Sequence, residues 1–181
     1  MLAGGADVTA RWKREDRIVD KLVRLPTLRL PQMQDVGGCR VVLRSPQTEL
    51  GELADAIRAR WTALADDDYA ARPRETGYRA RHLVLQHEGV AIEVQLRTFL
   101  QDAWAEAFET VQRTTDLAAH GSHVRTELAD FFRDLSRVLA RSEGGTIPRD
   151  AAMHDLLGLF AAYRRTLQVL HWTAPPDPPP S

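Results

Sequence analysis

The sequence predicts an α+β fold: a small mixed β-sheet flanked by helices, followed by C-terminal helices. Three observations lead there. Residues 82–98, "HLVLQHEGVAIEVQLRT", read as two strands around a tight Glu88-Gly89 turn. "CRVVLR" (39–44) is a β-branched run that stops before Ser45-Pro46, a third strand. Around these runs, apolar residues recur at helical spacing.

Taken in order, "RWKREDRIVDKLVRL" (11–25) predicts a helix from about Glu15, with Ile18, Leu22 and Leu25 on its apolar side and a looser basic lead-in at Arg11–Arg14. "PTLRLPQMQDVGG" holds two prolines and a Gly pair and reads as connection. Ser45-Pro46 opens a helix over roughly 47–64, with Leu50, Leu53, Ile57, Trp61 and Leu64 as its buried stripe. The polar stretch 65–81 reads as a long loop, and loops of that length are often functional. In the hairpin strand "IEVQLRT" (92–98), Ile92, Val94 and Leu96 face one way and Glu93, Gln95 and Arg97 the other. A long helix follows from about Phe99, and further helices fit 122–141 and 149–171. Leu128, Phe131, Phe132, Leu135, Val138 and Leu139 make a core stripe there. The resulting organisation is a core over 11–120, a helical extension over 121–172 and a Pro-rich tail, 173–181, expected to be disordered.

Composition narrows the function classes. The 181 residues carry a net charge of −1 and 44% apolar residues, as in an ordinary globular protein. A single cysteine, Cys39, excludes an internal disulfide and a cysteine-based zinc cluster. No apolar run has bilayer length and the start is not of signal-peptide type, so the expectation is a cytoplasmic protein with no membrane contact. Charge is uneven: Arg11 to Arg44 holds nine Lys/Arg against four Asp/Glu. That is either a solvated helix or the footprint of a local anionic ligand.

Two acids stand where a sheet could use them. Asp35 precedes the Gly37-Gly38 turn into strand 39–44, and Glu93 lies on the last hairpin strand. On adjacent strands they would converge, and one or two carboxylates completed by phosphate and water are what Mg²⁺ takes. Read singly, Asp35 is a turn-stabilising residue and Glu93 a half-exposed edge residue. Their surroundings favour the joint reading. Gln95 and Arg97 share the Glu93 face, and His82 begins the paired strand. Arg72, Arg74, Tyr78 and Arg79 come from the loop, and Arg11, Lys13, Lys21 and Arg24 from the basic helix. Cations hold phosphates, an aromatic ring stacks on a base and carboxylates hold the metal, so the set suits a nucleotide.

The stretches "RWKREDRIVDKLVR", "MQDVGGCRVV", "DYAARPRETGYRARHLVL" and "IEVQLRTFLQDAWAE" occur in this order. They resemble the successive motifs of the RelA/SpoT-type (p)ppGpp synthetases, and the resemblance covers about residues 11–107. It implies a nucleotidyltransferase-like sheet with ATP and GDP or GTP on opposite sides, and pyrophosphate transfer to the acceptor 3′-hydroxyl. By the same resemblance, Arg11, Lys13, Lys21, Arg24 and Arg40 hold ATP, and Asp35 and Glu93 are catalytic and bind Mg²⁺. Arg74, Tyr78, His82, Gln95 and Arg97 would line the acceptor side, with Tyr78 stacked on guanine.

Some positions depart from the family pattern. Arg17 and Ala80 stand where serines are common, and Arg74 where a lysine is usual. Phe108, Glu109, Arg113 and Thr114 replace an Glu-His and Tyr-Lys pattern, which leaves the acceptor open. The alternatives are a toxic synthetase that modifies the tRNA 3′ end or adenine nucleotides, and a degenerate nucleotide-binding domain. His154-Asp155 reads as part of a surface helix, and His120 and His123 as loop residues, so no hydrolase site is expected. The chain thus resembles the small single-domain synthetases, which often associate into homo-oligomers through helices near this end.

Overall fold

The computed structural model describes residues 5–12, 15–27, 29, 37–44, 47–114 and 122–169, without the side chains of residues 11, 12, 16, 17, 21 and 169. The expected Pro-rich tail, residues 170–171 of the last predicted helix, and His120 lie outside the described residues. Chain contacts divide the protein into two units: Met1–Pro73 with Arg79–Asp102, and Arg74–Tyr78 with Ala103–Ser181.

The first unit is built on a five-stranded sheet ordered β1-β2-β5-β4-β3. Its strands are β1 (Ala6–Trp12), β2 (Gly37–Leu43), β3 (Ala63–Asp68), β4 (Arg81–His87) and β5 (Val90–Thr98). Only β2 and β5 run parallel; the other pairs are antiparallel. This is the mixed sheet the sequence predicts. The β4–β5 hairpin turns at Glu88 (φ 49) and Gly89 (φ 79), the left-handed pair that a two-residue turn requires.

Two helices belong wholly to this unit, α1 (Glu15–Arg24) and α2 (Gln47–Arg60). Alternation along the strands sends Val41, Leu43, Leu83, Leu85, Val94 and Leu96 to one face, where they form a core with Leu50 and Ala54 of α2. Leu43, Leu83 and Leu96 are fully buried. Each contributes roughly 1.5–3 kcal/mol relative to an exposed side chain. The opposite face carries Glu93, Gln95 and Arg97, as the period-two pattern requires.

In the first unit and the last helix the structure corrects four expectations. Arg11 is not in a lead-in to the basic helix; its backbone belongs to β1. Residues 5–10 are all exposed, so this part of β1 shows no buried alternation; it is joined to β2 by backbone pairing and by the Asp7–Arg44 ion pair. The presumed loop 65–81 begins with β3, whose "ADDD" run has low strand propensity. Its Asp66 accepts two hydrogen bonds from Arg81, at 2.9 and 2.8 Å, and one from Arg58 of α2 at 2.6 Å. These cations supply locally what propensity lacks. Third, α2 stops at Arg60, leaving Trp61 41% and Leu64 47% exposed rather than in its buried stripe. Fourth, the predicted helix 149–171 breaks at Tyr163.

The second unit is helical: α3 (Phe99–Thr114) from Ala103 onward, α4 (Ser122–Glu143), α5 (Arg149–Ala162) and α6 (Arg164–Val169). Trp104, Leu128, Phe131, Phe132, Leu135, Leu159 and Leu167 make its core. The Trp104 indole N–H donates to the Phe132 carbonyl at 2.8 Å, so the ring is buried with its polar edge satisfied. Tyr163, at the α5–α6 break, donates its hydroxyl to Asp134 at 3.0 Å. His123 starts α4 and pairs with Glu127 rather than lying in a loop, while His154 and Asp155 fall on α5 as expected. Among the described residues no helix is long and apolar enough to cross a membrane.

Two predictions follow from the sheet. A Cβ on Gly38 would lie 2.1 Å from the Glu93 carbonyl oxygen, so that position admits no side chain. Gly38→Ala should lower stability by at least about 1–3 kcal/mol, the scale of overpacking. It should show as a lower urea midpoint at unchanged slope; an unshifted midpoint would contradict the tight strand contact. Hydrogen bonds from Arg81, with further help from Arg58, hold the Asp66 carboxyl down to about 2 from 3.8. A depressed carboxylate stabilises above its unfolded value and loses that contribution as pH falls through its folded value. The stability gap between wild type and Asp66→Asn should therefore be full above about pH 4 and close toward pH 2; a gap that does not change over that range would contradict the assignment.

Candidate active site

The strand register gathers the predicted residues of the first unit. Arg40 of β2 pairs with Gln95 of β5, and Gln95 pairs with His82 of β4. One row of the sheet thus reads Arg40, Gln95, His82, all on the face opposite the α2 core. In the next row Gly38 lies between the backbones of Arg11 and Glu93. The two strands that the sequence places beside Asp35 and Glu93 are therefore neighbours. Asp35 and Lys13 lie outside the described residues, as do the side chains of Arg11 and Lys21. Arg24 ends α1 and is exposed.

Glu93 is held at both carboxylate oxygens. His82 Nδ1 lies 3.1 Å from Oε1, and the Gln95 amide donates to Oε2 at 2.7 Å. The ring of Tyr69 meets His82 edge-on, with centroids 5.3 Å apart. Arg97 is 2% exposed; it donates to Gln95 Oε1 at 3.3 Å and to Asp102 Oδ1 at 2.8 Å. The same Asp102 oxygen lies 3.3 Å from Arg40 Nη1. Glu93, Gln95, Arg97, His82, Asp102 and Arg40 thus form one connected polar array in which two acids balance two guanidiniums.

Asp102 and Tyr69 were missed from sequence, although a signal for Asp102 is there. Thr98 and Gln101 form a reciprocal capping box at the start of α3: Thr98 N–H donates to Gln101 Oε1, and Gln101 N–H to Thr98 Oγ1, both at 3.2 Å. The pattern Thr-x-x-Gln followed by Asp, directly after a strand, marks a helix start that turns an acid back toward Arg97. An acid in that first turn also suits the helix dipole. For Tyr69 the sequence carries no such signal, since its contact depends on β3 pairing with β4.

Arg74 and Tyr78 belong to the second unit. The Arg74 guanidinium stands 5.4 Å from the centre of the Tyr78 ring, a cation–π distance, and Tyr78 packs at the edge of the Trp104 core. Gly77 has φ 90 and lies against α4; its carbonyl accepts from the Ser136 hydroxyl at 2.6 Å. Arg133 adds a bond to the Glu75 carbonyl at 3.0 Å. Segment 74–78 is thereby fastened to α4.

Chemically, the Glu93 carboxylate, with His82 and Gln95 against it, can bind a cation or take a proton. Cys39 offers no nucleophile of note, because burial raises its thiol above the ordinary value. Glu93 is a hard oxygen donor with a side chain 20% exposed, which fits one protein ligand of a Mg²⁺ shell. Among the described residues no group of three or more His, Cys, Asp or Glu is arranged around one point.

The chain is 39% identical over 106 residues to an uncharacterized protein of Mycobacterium tuberculosis, covering 56% of this chain and 38% of that one. It is 30% identical over 110 residues to the GTP pyrophosphokinase YjbM of Bacillus subtilis, covering 54% of this chain and 52% of that one. It therefore spans well under two thirds of either relative. The structure resembles small alarmone synthetase 1 from Bacillus subtilis bound to its product pppGpp, with TM-score 0.64, 23% identity and coverage of 77% of this chain and 74% of that one. That likeness shows the α+β fold of the small alarmone synthetases. The pattern described as "Region found in RelA / SpoT proteins" matches residues 10–113, more than half of the sequence. The chain belongs to the RelA/SpoT family.

Proposed function

We propose that this chain is a (p)ppGpp synthetase, transferring pyrophosphate from ATP to the 3′-hydroxyl of GDP or GTP. The 3′-oxygen attacks the β-phosphorus of ATP, the bond to the α-phosphate oxygen breaks, and AMP leaves. The observation that carries the reading is the Glu93 carboxylate, gripped by His82 and Gln95 on the polar sheet face beside Arg40. In this reading Glu93 orients the acceptor hydroxyl and takes its proton. Arg40 supplies positive charge for the ATP phosphates, with Arg11, Lys13, Lys21 and Arg24 as further candidates. His82 and Gln95 hold the Glu93 carboxylate; Tyr78 and Arg74 are, by the family resemblance alone, the candidates for base and phosphate of the acceptor.

Glu93 and Asp35 are the residues proposed to hold Mg²⁺. When bound, the ion neutralises charge on the transferred phosphates. Most of the rate then comes from positioning and charge neutralisation, as in other phosphoryl transfers.

The test is an acceptor panel. Labelled ATP is incubated in turn with GDP, GTP, AMP and tRNA. The expected products are AMP and a 3′-pyrophosphorylated guanine nucleotide. Transfer to tRNA or AMP alone would replace the acceptor, and no AMP with any acceptor would leave a nucleotide-binding domain. Glu93→Gln and Asp35→Asn should each lower turnover by more than about 100-fold, the scale of a group acting in the transition state. Near-normal turnover in both would refute the metal assignment.

A further inference from the structure

We propose that Asp102 is a positioning residue that sets the orientation of Glu93 through Arg97 and Gln95, and that Arg97 is an internal strut rather than a ligand of the acceptor. The proposal rests on the synthetase reading above.

The argument lies in the donor and acceptor character of the array. A glutamine amide can be turned over with almost no change of shape, which exchanges its oxygen and its NH₂. At Gln95 only one orientation serves Glu93: the NH₂ must face the carboxylate, as it does at 2.7 Å. The reverse would set two oxygens against each other. Arg97 removes the ambiguity. A guanidinium has donors only, so its contact at 3.3 Å demands the amide oxygen on its side and leaves the NH₂ for Glu93.

Arg97 must itself be held. It is 2% exposed, so water cannot orient it. Asp102 does so, accepting from Nη1 at 2.8 Å. An ionised carboxylate only accepts, so the polarity alternates from Asp102 through Arg97 and Gln95 to Glu93 without a clash. The capping box Thr98–Gln101 fixes the first turn of α3 and with it Asp102. Burial this deep also leaves Arg97 little surface to offer a nucleotide.

Arg97→Lys keeps the charge but loses the fork, and Asp102→Asn keeps the shape but loses the charge. Both are assayed by steady-state kinetics, with acceptor affinity by calorimetry and unfolding midpoints as controls. Expected are a fall in kcat of at least about tenfold for each, acceptor KM and Kd within about twofold, and a double variant no slower than about twofold below the slower single one, as for residues acting as a unit. An acceptor KM raised tenfold or more with kcat retained in Arg97→Lys would make Arg97 a direct ligand and overturn the proposal. So would unchanged kcat with only a lowered midpoint, multiplicative losses in the double variant, or failure of both single variants to fold, each of which assigns the pair to something other than positioning. An inactive wild-type enzyme would instead overturn the synthetase reading, and the proposal with it, whereas an active wild type with unaffected variants overturns the proposal alone.

Discussion

The parallel contact between β2 and β5 is the constraint on which the rest of the first unit depends. It brings two segments far apart in sequence side by side, with Gly38 against the Glu93 backbone at a distance no side chain could occupy. Every other strand is added to this pair: β1 beside β2, β4 beside β5, and β3 beside β4. Since side-chain period is two, the register chosen there decides both faces together. Val41, Leu43, Val94 and Leu96 meet α2 only because Arg40, Glu93, Gln95 and Arg97 are sent to the other side.

That other side is costly. A guanidinium as buried as Arg97 loses its hydration, and a paired buried charge is at best weak support for stability. What such an array contributes is definition. Each side chain of the array has at least one partner of the opposite hydrogen-bonding character, so few alternative arrangements satisfy it. The proposed phosphoryl transfer would need this kind of order, because such catalysis comes largely from where charges stand before the reaction starts.

The second unit solves a different problem with different means. Its core is aromatic, with Trp104 stacked on Phe108 at 5.1 Å and edge-on to Phe132 at 5.6 Å. Segment 74–78 is tied to α4 by backbone carbonyls and a glycine with positive φ, with the Tyr78 ring packed against the aromatic core. Arg74 and Tyr78 are thus carried on a stretch whose path is set by α4. A polar segment can still be ordered when its backbone groups find partners on a helix.

Much of this was legible in the residues themselves. Periodicity was enough for the hairpin 82–98, for the split of β5 into a core face and a polar face, and for the aromatic stripe of α4, because burial at period two or 3.6 leaves a direct mark on apolar spacing. Four ordered motifs were enough for the family. Tertiary structure alone decided the edge strands, since β1 and β3 are held by backbone pairing and by Arg58 and Arg81, neither of which leaves an alternating pattern. It also decided which polar residues meet. The sequence shows Glu93, Gln95 and Arg97 two apart on one face, but that His82 closes on one Glu93 oxygen and Asp102 on Arg97 depends on strand register and helix entry, which are properties of the folded chain.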